Sequence, residues 1–402
     1  MEANVLAKAR ALMPGSDARA AAPARFAFAL LFACAFLAFL GLGAVVTVLP
    51  RFVKGPVGAG DLAVGIVTGA FAFTAVVCRP LAGRLADARG RRIVFFAGAL
   101  FAALAGALYF LPFGVPGLLA ARFVLGAGEG FVFTAGATWT VDLAPREARG
   151  RAIGLFGLAI WSALTVGPLI GEGLKALGGY DAVWAFAAAS PLAAAALSRT
   201  LPDAHTPEPP APGPRRLLPR EALRPGVSLA FANIGYAALA GFLVLHLSAR
   251  GIGHGAAVFT AFAAAVVTTR VVAGRLPDIV GPRRTAVVAA GCEALGLATI
   301  ALAHSLPVAL AGGVLMGFGF SVLYPSLALI VVNQVPETRR GAAVGAFTAF
   351  FDVGMGIGGP LAGAMVALGG YPAAFWAAVV AAIAGGAIAA AGAPRVRAAI
   401  TR

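Results

Sequence analysis

Four carboxylates and one guanidinium stand where a chain this apolar has little room for charge. Glu129, Glu172, Glu293, Asp352 and Arg122 each lie within, or at the end of, an apolar run of about twenty residues, the length that crosses a bilayer. An ionisable group at the centre of such a span costs at least about 2.5–3.5 kcal/mol, so each is a candidate for function. A carboxylate at that depth can take up and release a proton, and a cation beside it can hold it ionised. Arg122 and Glu129 are seven residues apart, which turns them about 20° from each other on a helix and separates them by about 10 Å along its axis. Side chains lean toward the helix N-terminus, so Glu129 tips toward Arg122, and Gly126 between them keeps the groove open. A direct or water-bridged contact is expected. Burial favours the neutral acid and a nearby Arg the ionised one, opposed effects that suit proton exchange near physiological pH. A purely structural ion pair is the alternative.

The elements that position these groups must be helices. The chain of 402 residues is 60% hydrophobic and 12% charged, with a mean hydropathy of +0.91, far from soluble composition. Apolar runs fall near 26–50, 62–82, 93–111, 118–141, 152–174, 181–199, 226–248, 255–273, 285–303, 308–332, 341–366 and 372–393. Without water in the bilayer to satisfy backbone groups, each must be an α-helix. An all-α integral membrane protein of twelve transmembrane helices follows.

With the N-terminus inside, most of the 31 Lys and Arg residues lie on the cytoplasmic side, and only Arg51, Lys54, Lys175 and Arg250 lie outside. The net charge of +15 is therefore a topology signal and does not imply a nucleic-acid partner. Residues 1–25 carry no signal-peptide pattern, so the first span is expected to be an uncleaved anchor with both termini cytoplasmic. Cys34, Cys78 and Cys292 fall inside spans and form neither a disulfide framework nor a metal pattern. Arg dominates the basic residues and Ala and Gly abound, the composition of a GC-rich bacterial genome.

The stretch TLPDAHTPEPPAPGPRRLLPREALRPG (200–226) is dense in Pro and charge and reads as an extended linker. It divides a cytoplasmic tail (1–25) and a six-helix bundle (26–199) from a second bundle (226–393) and tail (394–402), with the linker at 200–225. The halves repeat. Arg79-x-x-x-Gly83-Arg84-Leu85-x-Asp87-x-x-Gly90 aligns with Arg270-x-x-x-Gly274-Arg275-Leu276-x-Asp278-x-x-Gly281 at an offset of 191. The same offset carries Gly126 and Gly128 onto Gly317 and Gly319, Pro145 onto Pro336, and Arg149-Gly150 onto Arg340-Gly341. At 192, Gly167-Pro168-x-x-Gly171 meets Gly359-Pro360-x-x-Gly363. Six spans per half make these parallel repeats, the build of secondary transporters with substrate near the midplane. Asp352, in AFFDVGMGIGGP, breaks the repeat, because the matching stretch carries Trp161 and Ser162. That asymmetry marks it for substrate or proton binding.

GRLADARGRR (83–92) resembles the signature loop between the second and third helices of the major facilitator superfamily, matching at Gly83, Leu85, Asp87, Gly90, Arg91 and Arg92. The second copy has Pro282 where the first has Arg91, and keeps Gly274, Asp278, Gly281 and Arg283. The stretches 126–139 and 317–354 are similar to the bacterial drug:proton antiporter and sugar-efflux-like branch. The resemblance implies that Asp87 and Asp278 latch the cytoplasmic side shut, near Arg340-Gly341 and Arg149-Gly150, while Gly83 and Gly90 allow a tight turn. It implies that Arg122 belongs to a proton-coupling motif, with Leu125 in place of its usual Gln, and that Glu129 lines the central cavity. Trp139, Trp161, Asn233, Tyr236, Ser321 and Tyr324 become candidate cavity contacts, and Glu293 a structural hydrogen-bonder outside the cavity. Gly154, Gly167, Pro168 and Gly171, with Gly359, Pro360 and Gly363, resemble a packing motif that lets helices of the two halves approach. Glu172 is expected to be solvated at the outer surface, and Arg79 and Arg270 to snorkel toward the cytoplasm.

The expectation is a monomeric secondary transporter in a bacterial inner membrane, exporting small molecules against a proton gradient without any cofactor. Coupled uptake, uncoupled facilitation and a non-transporting sensor are the alternatives. No H-E-x-x-H, G-x-S-x-G or phosphate-loop motif is present, so an enzyme is not expected.

Overall fold

Apolar runs longer than the hydrocarbon is thick leave a chain one backbone solution, and the computed structural model adopts it. It describes residues 18–144, 149–203, 219–336 and 339–391. Pro145, the tails through 17 and from 392, and linker residues 204–218 lie outside these. Among the described residues, eleven helices are long and apolar enough to cross a membrane. One of them, Arg149–Ser198, is two spans, because Gly178 and Gly179 leave helical dihedrals and Gly179 takes a φ of 68°. We label the spans α1 (Ala18–Val46), α2 (Asp61–Arg89), α3 (Arg91–Leu108), α4 (Gly114–Leu143), α5 (149–177), α6 (180–198), α7 (Arg220–Ala249), α8 (Gly255–Val272), α9 (Pro282–Leu302), α10 (Leu306–Val332), α11 (Arg340–Gly369) and α12 (Tyr371–Ala390). No strand occurs among the described residues.

The duplication is visible in the packing. In the first half α4 packs on α2 and α3, and in the second α10 packs on α8 and α9. The repeated glycines make these approaches possible. Gly126 sits on the backbone of α2 at Phe71, and Gly128 on α3 at Gly98 and Ala102. Their counterparts Gly317 and Gly319 sit on α8 at Phe262 and on α9 at Ala289. With lipid as apolar as the side chains, small residues that let backbones touch supply the van der Waals contact that holds helices together.

Several boundaries differ from expectation. α2 runs through Gly83 to Arg89, so the first loop shrinks to Gly90, at φ 96°. Gly83 is helical and supplies no turn. In the second half α8 stops at Val272, a one-turn helix follows at Leu276–Val280 and Gly281 turns at φ 98°. The repeat places Pro277 where the first half has Ala86, and proline ends one helix and starts the next. α7 begins at Arg220 and includes Pro225, so the last linker residues are helical. Asp203 folds back to accept the Arg91 backbone N–H at 3.3 Å, placing a carboxylate at the positive end of α3.

The halves meet mainly through α2 on α11 and α5 on α8, with α7 also touching α2. Gly65 and Gly69 of α2 lie against Gly359, Met355 and Pro360 of α11, and Gly363 against Asp61 and Leu62. Thus Gly359, Pro360 and Gly363 do bring the two halves together. Gly167 and Gly171 instead meet Gly43 and Ala44 of α1 in their own half, and Gly154 faces open space. The motif reading is corrected there, because the first-half copy faces α1. Away from the Gly90 and Gly281 turns the interface is shut, with Gly65, Gly69, Gly359 and Gly363 buried, whereas Gly157 of α5 and Arg270 of α8, which meet toward the turns, are partly exposed.

Gly359→Leu should force α2 and α11 apart and destabilise the protein by about 1–3 kcal/mol, the range for overpacking. Gly154→Ala should leave stability unchanged. Melting curves of the purified variants in detergent check both, and equal melting temperatures would contradict the packing account.

Candidate functional site

Arg79 occupies the loop-side half of α2, one residue before Pro80. It does not snorkel. Its Nε donates to Asp352 Oδ2 at 2.5 Å and its Nη2 to Oδ1 at 3.0 Å, a two-pronged fork joining the first half to α11 of the second. The guanidinium lies over the Phe133 ring, 4.5 Å from its centroid. Asp352 is 1% exposed, and the planar fork matches the carboxylate in a way a lysine could not. The asymmetric acid of the sequence thus meets an arginine from the opposite repeat.

Glu129 joins this pair from α4. It stands one turn before Phe133, on the face that carries the ring beneath Arg79. The charges acting on it are Arg79 first, then Asp352, then Arg122. Its Oε2 is buried and, like Arg79 Nη1, has no hydrogen-bond partner among the described residues. Across the interface Tyr236 of α7 lies within the field of both Glu129 and Arg122. A buried guanidinium thus has two acids in its electrostatic neighbourhood, one from each half, and is hydrogen-bonded to Asp352.

Arg122 does not hold Glu129. Its Nε donates to Val67 O at 3.0 Å and Nη2 to Thr68 O at 2.8 Å, with its guanidinium over Phe71. Seven-residue spacing allowed a contact with Glu129, but the close approach of α2 at Gly126 brings backbone carbonyls nearer. Glu293 is fully buried against Gly235, and both its oxygens lack a partner among the described residues, so the expected structural hydrogen bond is not formed. Glu172 is not simply solvated: it pairs with Arg51 and accepts from Thr47, joining α5 to the chain after α1.

The aromatic candidates divide. Trp161 of α5 meets Tyr236, Phe262 and Phe320 edge-on, with centroids 5.9, 6.0 and 5.4 Å away, so an aromatic box bridges the halves beside the charges. Tyr324 bonds Thr348 at 2.8 Å and lies in the field of Arg270, Arg79 and Asp352. Three candidates belong to packing. Trp139 donates to Pro202 O, Asn233 to Leu229 O and Ser321 to Val266 O, all buried within one half.

Of the latch residues, Arg91 bonds both Asp87 at 2.5 Å and Asp142 at 2.9 Å, and Arg92 donates to Leu201 O. Arg84, Asp278 and Arg283 are exposed, while Gly274 and Gly281 lie in the second turn. No cluster of metal-ligating side chains occurs among the described residues.

A family model described as the Major Facilitator Superfamily matches residues 31–255 and again 226–401. The chain is 32% identical over 366 residues to an uncharacterised MFS-type transporter of Burkholderia pseudomallei, covering 87% of this chain and 88% of that one. It is 31% identical over 365 residues to another of Salmonella typhimurium, covering 89% and 94%. Among solved structures, it superposes on an inward-facing bacterial homologue of the human lysosomal transporter Spinster with a TM-score of 0.71, at 15% identity over 94% of this chain and 96% of that one.

Breaking one side of the fork should be worse than removing it. Arg79→Gln leaves the Asp352 carboxylate, 1% exposed, buried without its partner, a loss of about 3–5 kcal/mol. Arg79→Gln with Asp352→Asn should recover most of it. Thermal melts of the single and double variants test this, and additive losses would contradict it.

Proposed function

Because the chain belongs to the major facilitator superfamily, we propose that this multi-pass membrane transporter is a proton-driven exporter of small molecules. In this reading it works as a monomer, by alternating access, in a bacterial inner membrane with both termini cytoplasmic. It is a transporter and not an enzyme. Proton coupling rests on one observation: Arg79, with Asp352 of the other half on its fork and Glu129 of its own half beside it.

The chemistry follows from charge balance. With Asp352 ionised, the fork ties α2 to α11 across the interface. A proton taken up by Asp352 removes the charge that holds the fork, and Arg79 turns to Glu129 within its own half. The bond between halves is exchanged for a bond within one, and the bundles are free to rock. A proton on Glu129 favours the reverse. Each charge moved through 100 mV supplies about 2.3 kcal/mol for this cycle.

Direction rests on topology. The turns carrying Gly90 and Gly281, together with the tails, the linker and the other loops on the same side, hold most of the basic residues, which assigns that side to the cytoplasm. The partly exposed interface residues lie on that side and the shut glycine contacts on the other, as suits a state that receives substrate from the cytoplasm. In the opposite state Asp87 and Asp278 would latch the cytoplasmic ends, and the exposed Asp278 fits an unlatched second loop.

Everted membrane vesicles holding an imposed pH gradient, read with a pH-sensitive dye, test the coupling. A transported compound should collapse the gradient with wild type and not with Glu129→Gln, which should still exchange labelled compound. Equal collapse by both would sink the assignment of Glu129.

A further inference from the structure

The repeat gives Arg79 a twin. At the offset of 191 that aligns the halves, Arg79 corresponds to Arg270 of α8, and Phe133, the ring beneath Arg79, to Tyr324. The structure keeps the relation, for Tyr324 lies in the field of Arg270 as its leading charge. Arg270 also reaches across the interface: its Nη1 is 2.9 Å from where a Cβ on Gly157 of α5 would stand. The two arginines are therefore related by the pseudo-twofold axis, each aimed at the other half.

Their counter-charges are not related. Glu129 corresponds to Phe320, and Asp352 to Trp161 at an offset of 191 or to Ile160 at 192. Both acids that face Arg79 are uncharged around Arg270. Among the described residues no carboxylate pairs with Arg270, which is partly buried. Tyr324 supplies no second donor to the site. Thr348 Oγ1 donates its hydrogen to Val344 O at 2.8 Å, so the 2.8 Å contact between the hydroxyls is a donation by Tyr324. Its oxygen then offers Arg270 a neutral acceptor only.

A partly buried guanidinium without a counter-ion is costly at bilayer depth, and its neighbours say what would complete it. Gly157, having no side chain, lets the guanidinium lie directly against α5, and both residues are partly exposed. One turn further along α5, Trp161 begins the aromatic box with Tyr236, Phe262 and Phe320. We propose that Arg270 is the anion-binding point of the substrate site, taking the carboxylate or phosphate of a soluble amphipathic anion whose apolar or aromatic body lies against that box. The inference deepens the transporter reading and rests on it. The substrate completes for Arg270 what Asp352 completes for Arg79.

The test is equilibrium binding by calorimetry to the full chain in phosphatidylcholine nanodiscs, with 1-naphthoate, 1-naphthyl phosphate and neutral 1-naphthamide as probes. Wild type should bind at least one anion about tenfold or more tighter than the amide, the worth of a charge-assisted hydrogen bond. Arg270→Gln should lose the preference. Gly157→Asp, which places a carboxylate against the guanidinium, should lose it too, while the equally large Gly157→Asn keeps it, separating charge from folding and bulk. Wild type that binds none of the probes, or all equally, overturns the proposal, as does a preference that survives Arg270→Gln. Nanodiscs containing phosphatidylglycerol separate the two sources of anion: a preference abolished there assigns Arg270 to lipid headgroups and also overturns it. Failure here leaves gradient-driven transport by wild type intact, whereas failure of the transport reading leaves the equilibrium preference intact.

Discussion

A charge inside a bilayer must be matched, and the interface between the halves of this protein is organised around one match. Arg79 comes from the first repeat and Asp352 from the second, and the fork between them joins the two bundles. The desolvation of Asp352 is offset by that fork, which forms when the halves are held in the observed register. Glu129, on the first bundle, adds a second acid in the electrostatic neighbourhood of the same guanidinium. Two carboxylates and one arginine hold a net negative charge unless a proton is added, and in the proposed cycle that proton decides which half Arg79 favours.

Helix packing supplies the surface on which that choice acts. Apolar side chains gain little by leaving lipid for protein, so the bundles depend on backbone approach at small residues. Gly126 and Gly128, with Gly317 and Gly319, serve this need inside each half. Gly65, Gly359 and Gly363 serve it between the halves, on the side away from the repeated turns. The α2–α11 contact thus has a glycine-packed end and an ion-paired end, and the second carries the titratable carboxylate.

Much of this was legible in the sequence. Spans follow from apolar run length, and the duplicated Gly-Arg-Leu-x-Asp pattern predicted two related bundles, borne out by the paired packing of α4 and α10. Asp352 stood out because it breaks the repeat. What could not be read were choices among partners. Spacing on one helix made Arg122 and Glu129 neighbours, but a neighbouring helix backbone took the arginine instead. Arg79 looked close enough to a span end to snorkel, since one-dimensional depth does not reveal a carboxylate on a distant helix. The signal was present even so, because Arg79 belongs to the repeat and Asp352 is its exception. Trp139 and Ser321 lie on the same spans as cavity candidates yet point into their own halves, a matter of helix rotation that the all-round apolar α4 and α10 do not encode.

In the proposed cycle the protonation state of Asp352 sets which arrangement of the halves is favoured. The direct measurement is the distance between spin labels on the exposed ends of α2 and α9, at Arg89 and Arg284, in reconstituted protein across a range of pH. Wild type should show two distance populations that exchange as pH falls, with Asp352→Asn held in the low-pH population throughout. A variant that keeps the wild-type pH response would show that the Arg79–Asp352 fork does not control the movement.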